Sequence, residues 1–120
     1  MTRSDRARDP YAALDASVSE RELQANVLAL AMLYGWRVVH FRPALTSKGW
    51  RTAVQGDGVG FPDCLMLRGE RLLVAELKRE GEGPTEEQEA WLAAFEAAGA
   101  EVCVWRPSDQ RVGRVKRVLA

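Results

Sequence analysis

The chain has 120 residues, 47% of them hydrophobic, and a formal net charge of zero, which suits one soluble domain with one modest core. No apolar run approaches the roughly 18–20 residues of a membrane span, and the polar first ten residues do not resemble a secretory leader, so a cytoplasmic protein is expected. The neutral balance gives no support of its own to nucleic-acid binding, and two cysteines with one histidine are too few for a typical structural zinc site.

Residues 1–17 are charged, small and without a sustained pattern, and are expected to form a mobile arm ahead of a folded domain over 18–120. Leu23, Val27, Leu30, Ala31 and Tyr34 then recur at three- and four-residue intervals, predicting a helix with one apolar face that Gly35 stops. Ser17-x-x-Glu20 and Ser19-x-x-Glu22 both fit a capping box. Glu20 shares the face of Leu23, Gln24 and Val27, whereas Glu22 lies off that stripe and has a sufficient role within the cap. A strand from Trp36 to Phe41 follows. Within it His40 reads most simply as a rim residue, with contact to DNA or to a reacting water as the alternative.

Pro43 to Gly60 has few apolar residues and no period, and a structureless stretch of that length in a small domain is functional or disordered. From Trp36 to Gly56 the only charged side chains are Arg37, Arg42, Lys48 and Arg51, a basic segment suited to a phosphate backbone. Trp50 could stack on an unpaired base, or equally clamp a loop or a partner subunit. Asp57 suits a turn.

Asp63 follows Gly60-Phe61-Pro62 and opens a strand, Cys64 to Arg68, which a short turn at Gly69 and Glu70 folds back onto Leu72 to Lys78. Strand alternation places Glu76 and Lys78 on one face and Leu73, Ala75 and Leu77 on the other. The hairpin brings Asp63 close to Glu76. Two convergent carboxylates able to hold Mg²⁺ beside a lysine supply what phosphodiester hydrolysis needs, charge neutralisation at the phosphate and an activated water. As a same-face pair on a solvated strand, Glu76 and Lys78 would contribute at most about 1 kcal/mol. The strand is otherwise apolar, however, and there ionised groups are costly unless paired or metal-bound.

Beyond the polar loop Arg79 to Gly83, Thr85 caps a helix reaching Ala98, with Gln88 as its capping-box partner and Trp91, Leu92, Phe95 and Ala98 as the buried stripe. Val102 to Arg106 is a short strand. Ser108 can cap a last helix ending near Leu119, with Val112, Val115 and Leu119 inward. This tail carries a second basic cluster of Arg106, Arg111, Arg114, Lys116 and Arg117. Cys64 and Cys103 lie in apolar strands and read as free thiols of a reducing compartment. The order α, β, β, β, α, β, α predicts an α/β fold, a mixed sheet of about four strands flanked by helices, with the helix from Thr85 as a right-handed crossover.

Gly60-Phe61-Pro62-Asp63, Glu76-Leu77-Lys78 and Gln88 resemble the VRR-NUC (virus-type replication-repair nuclease) family, a branch of the PD-(D/E)XK superfamily. The likeness runs from about Ser19 to the C-terminus and is closest to the small stand-alone versions of phages and bacteria. It implies a restriction-endonuclease-like core and an Mg²⁺- or Mn²⁺-dependent DNA endonuclease without an organic cofactor. Asp63, Glu76 and the Leu77 backbone carbonyl would hold the metal, with Glu20 completing the set directly or through water. Lys78 would position the attacking water, and Gln88 would orient Lys78 or a phosphate oxygen. The resemblance also implies branched DNA such as Holliday junctions or flaps as substrate, a role in replication, recombination or repair, and a homodimer. The alternative is a DNA-binding module that keeps the fold and no longer cuts.

Overall fold

Capped helices and a central apolar hairpin set the course of the chain, which the computed structural model describes for residues 9–41, 44–46, 49–51 and 58–120, with side chains for 9–41 and 58–120. The helices are α1 (Ala12–Ser17), α2 (Glu20–Leu33), α3 (Glu86–Ala97), α4 (Pro107–Arg111) and α5 (Arg114–Leu119). The strands are β1 (Arg37–His40), β2 (Ala44–Thr46), β3 (Gly49–Arg51), β4 (Cys64–Arg68), β5 (Arg71–Leu77) and β6 (Glu101–Trp105). Ser19 is the cap of α2, its Oγ accepting from the Glu22 N–H at 3.1 Å. The helix ends with the Trp36 N–H on the Ala31 carbonyl and the Gly35 N–H on that of Met32, the paired bonds that close a helix C-terminus.

The main sheet has the order β1-β4-β5-β6, antiparallel across β1/β4 and β4/β5 and parallel across β5/β6. A parallel pair needs a crossover, which α3 supplies between β5 and β6. The result is the expected mixed α/β sheet flanked by helices. One face, with Cys64, Met66, Leu73, Ala75 and Leu77, packs on Leu23, Val27 and Ala31 of α2 and on Val115 and Leu119 of α5. The Trp36 Nε1–H donates to the Leu119 carbonyl at 2.8 Å and ties α5 to the sheet. On the other face Val74 and Glu76 are also buried, so β5 is covered on both sides, as a central strand should be. Among the described residues no helix is long and apolar enough to cross a membrane.

Four expectations need correction. The arm expected over residues 1–17 is helical at Ala12–Ser17, because Asp15 finds a partner in Arg111, far along the chain. The stretch expected to lack structure contains the β2–β3 hairpin, whose three rungs are too short to leave a period in the sequence. The last helix is two. Pro107 begins α4 with Asp109 accepting from the Arg106 N–H at 2.8 Å, the chain breaks at Val112 and Gly113, and Val112 is exposed instead of inward. On α3, Leu92 is buried, Trp91 and Phe95 are half-buried, and Ala98, past the last turn, is exposed.

The turn before Asp63 is fixed by an aromatic cluster. Phe61 sits edge-on to Phe41, Trp91 and Phe95 with ring centroids 5.2, 5.1 and 5.8 Å away, and the Trp91 Nε1–H donates to the Val59 carbonyl at 3.1 Å. Gly60 makes this approach possible: its φ is +82°, and a Cβ there would lie 2.7 Å from the Glu87 carbonyl carbon and 2.9 Å from the Gln88 nitrogen, both backbone atoms. Gly69 also has positive φ, at +60°, but faces open space. Gly60→Ala is therefore expected to cost about 1–3 kcal/mol more than Gly69→Ala in urea unfolding, since backbone displacement adds to conformational strain only at Gly60. Equal losses would mean the turn is not wedged against α3.

Candidate active site

β4 and β5 bring the two acids together at one end of the sheet. The last paired rung is Cys64 with Ala75, and Asp63 and Glu76 lie one position beyond it. The Asp63 carbonyl accepts from the Phe41 N–H at 3.1 Å, and its Oδ2 accepts from the Leu77 N–H at 2.8 Å. Asp63 is thus held by β1 through its backbone and by β5 through its side chain. Leu77 has its side chain in the core and offers the site only its backbone.

Glu76 is 1% exposed, and its Oε2 is buried without a hydrogen-bond partner among the described residues. Burial pushes its carboxyl up to about 8, the neighbouring Asp63 pushes in the same direction, and Lys78 opposes. The Lys78 Nζ stands 4.0 Å from Glu76 Oε1, with the lysine itself largely buried, so acid and cation do share a face. Lys78 falls just after β5, yet its N–H still donates to the Trp105 carbonyl at 3.0 Å, which extends the pairing with β6 to the residue that matters.

Glu20 opens α2 as an exposed residue, and among the described residues no hydrogen bond or ion pair joins it to Asp63, Glu76 or Lys78. Partial desolvation raises its carboxyl above the ordinary range, while the more distant charges of Lys78 and Asp63 lower and raise it respectively. Glu22 is spent on the cap, accepting from the Ser19 hydroxyl at 3.2 Å. Gln88 completes its own cap: its N–H donates to Thr85 Oγ1 at 3.2 Å and its Oε1 accepts from the Thr85 N–H at 2.8 Å. It lies in the helical turn wedged on Gly60, but among the described residues no hydrogen bond joins it to Asp63, Glu76 or Lys78. The side-chain amide nitrogen takes no part in the cap. His40 ends β1 opposite Cys64, its Nδ1 buried without a hydrogen-bond partner among the described residues. Arg42 and Lys48 lie outside the described residues, and of Trp50 and Arg51 only the backbone in β3 is described.

Among the described residues no group of three or more His, Cys, Asp or Glu side chains forms a ready metal cage. Two carboxylates with an orphaned oxygen still fit a hard dication, which takes oxygen ligands and fills its remaining positions with water. The tail is less available than its sequence suggests, because Arg111 is paired with Asp15 and Arg114 with Asp109. Sequence reasoning missed the contacts of Asp15, Arg79 and Glu80, which join α1, α4 and the loop after Lys78. Their partners are distant in the chain, so no local spacing could have singled them out.

The folded state holds the Glu76 proton more tightly than an ordinary carboxyl of 4.5, so its contribution to stability is complete below pH 4.5 and is lost as pH rises through about 8. In EDTA, the unfolding free energy should fall across that window by up to about 1.4 kcal/mol per pH unit. Glu76→Gln should remove most of the slope, leaving the smaller part that the raised Glu20 carboxyl contributes, and leave the variant more stable than the wild type at the upper end. Chemical denaturation at a series of pH values measures this, and a flat wild-type profile would contradict the buried pair. Comparison with family models, curated proteins and solved structures gives no match for the chain, so the chemistry of the site rests on its own residues.

Proposed function

We propose that this chain is an Mg²⁺- or Mn²⁺-dependent DNA endonuclease of the VRR-NUC type, hydrolysing phosphodiester bonds. The observation that carries this reading is the buried Glu76, with one oxygen that finds no hydrogen-bond partner among the described residues, set against Asp63 and 4.0 Å from the Lys78 ammonium. A buried acid pair beside a lysine is expensive to keep and has little structural use. Its retention makes sense if the pair binds something positive and the lysine meets something negative.

Asp63, Glu76 and the Leu77 carbonyl would hold the cation, with Glu20 joining directly or through water. Bound there, Mg²⁺ or Mn²⁺ supplies charge neutralisation at the phosphate and lowers the pKa of a water. The Leu77 N–H fixes one Asp63 oxygen, which leaves the other to turn toward Glu76. Lys78 would orient the attacking water and stabilise charge developing on the phosphoryl oxygens. Gln88 would act through its amide nitrogen on Lys78 or a phosphate oxygen, since its carbonyl is taken by Thr85.

Because Arg111 and Arg114 are neutralised by carboxylates, the basic segment of Arg42, Lys48 and Arg51 is the proposed track for a DNA backbone, with Trp50 as the candidate to stack on a base. The resemblance extends the proposal to branched DNA cut by a homodimer, in the cytoplasm of a bacterium or an infected host.

Metal-dependent nicking of supercoiled plasmid tests the reading, followed by a panel of linear, flap and four-way-junction substrates. Asp63→Asn and Lys78→Ala should each reduce nicking by at least about 100-fold while remaining folded. Nicking that survives both substitutions, or that persists in EDTA, would refute the site. Salt-sensitive DNA binding without cleavage in any metal would instead favour the module that no longer cuts.

A further inference from the structure

Around the loop that follows Lys78 the structure forms a closed ring of contacts between segments distant in sequence. Arg79 donates through Nη2 to the Ala16 carbonyl of α1 at 3.3 Å. Arg111 of α4 grips Asp15 of α1 with two bonds of 2.9 Å each, and its guanidinium lies 4.4 Å from the Tyr11 ring centre. Ser108 of α4 returns to the loop, donating from its hydroxyl to Glu80 Oε1 at 2.7 Å and from its N–H to Oε2 at 3.1 Å. Loop to α1, α1 to α4 and α4 to loop: each joint closes on the next.

Asp15 is 4% exposed and is, with Glu76, one of two buried charged side chains among the described residues. A two-pronged arginine–carboxylate pair fixes direction as well as distance. The cleft beside the ring has a volume of about 750 Å³ and presents Asp9, Glu80 and Glu82 against Arg106 and Arg114, with Asp15 and Arg111 engaged to each other. Acids thus match or exceed bases on its walls, which argues against a phosphate subsite and leaves the ring a holding role. What it holds is evident from the chain path: from Asp15 the chain reaches Glu20 through the short Val18-Ser19 link, whose first N–H donates back to the Asp15 carbonyl at 3.3 Å. The loop on the opposite joint begins at Arg79, next to Lys78.

We infer that α1 is a clamp fixing the start of α2, which carries Glu20, relative to the loop that follows Lys78, with Asp15 and Arg111 as its positioning residues, an inference that rests on the cation-dependent site proposed above. Neither residue touches the reacting groups. Both act through Glu20.

The test measures Mn²⁺ affinity by calorimetry without DNA, and kcat and KM for plasmid nicking, in the wild type, Asp15→Asn, Arg111→Lys, Glu20→Gln and the Asp15→Asn/Glu20→Gln double variant. Each latch variant should weaken Mn²⁺ binding and lower kcat about tenfold, with KM for DNA within about twofold of the wild type. On the Glu20→Gln background, adding Asp15→Asn should change Mn²⁺ affinity and kcat by less than about twofold, because the position being set no longer carries a charge. Should Asp15→Asn fail to fold, Arg111→Lys, which keeps the charge and loses the two-pronged geometry, carries the same test on both backgrounds. An equal loss on both backgrounds, or unaltered Mn²⁺ binding in the latch variants, would overturn the inference. If the wild type binds Mn²⁺ with this pattern yet cuts no DNA, the nuclease reading fails and the clamp stands. A wild type that binds no Mn²⁺ overturns both.

Discussion

Burying Glu76 on the central strand beside Asp63 costs free energy that the surrounding protein recovers only in part. Lys78 at 4.0 Å offsets some of the charge and the Leu77 N–H satisfies one Asp63 oxygen, while Glu76 Oε2 finds no hydrogen-bond partner among the described residues. The deficit falls where β5 is otherwise apolar, with Val74, Ala75 and Leu77 all in the core. A protein under no functional demand would relieve it with an apolar residue, since replacing buried charges by packed hydrophobes is often neutral or stabilising. The rest of the structure can be read as the means of keeping that arrangement in register.

Three supports converge on it from different parts of the chain. The β4–β5 hairpin sets Asp63 one rung past Cys64 and Ala75, so a one-residue slip would send the carboxylate to the opposite face. Phe61 and its three aromatic neighbours, with Gly60 wedged on the first turn of α3, fix the turn from which Asp63 projects. The ring through Asp15, Arg111, Ser108, Glu80 and Arg79 fixes the start of α2 and with it Glu20. Sheet pairing, aromatic packing and a charged latch therefore meet at one end of the molecule.

The sequence made the first support legible and hid the third, for a physical reason. Asp63 and Glu76 meet through a hairpin, and hairpins announce themselves by alternation and turn residues over a short span. The caps at Ser19 and Thr85 were likewise legible because both partners sit three residues apart. Glu22 was separable from Glu20 by helical periodicity, since both fit a capping box but only Glu20 shares the stripe of Leu23, Gln24 and Val27. Asp15 had no such local grammar: its partner is 96 positions away, and a charged residue in a charged segment reads as solvent-facing. The break at Val112 and Gly113 was hidden by a Val112, Val115, Leu119 spacing that fits one continuous helix equally well. For Arg42, Lys48, Trp50 and Arg51 the sequence offers charge and a stacking ring without geometry, and their side chains lie outside the described residues.

The central claim is that the Asp63–Glu76 pair is built to exchange a proton for a cation. Mn²⁺ titration by calorimetry near neutral pH, repeated in two buffers of different ionisation enthalpy, reads that exchange directly. With the Glu76 carboxyl pushed up to about 8, the wild type should release about one proton for each cation bound, and Glu76→Gln should show neither tight binding nor proton release. Cation binding without proton release, or release that survives Glu76→Gln, would contradict the account.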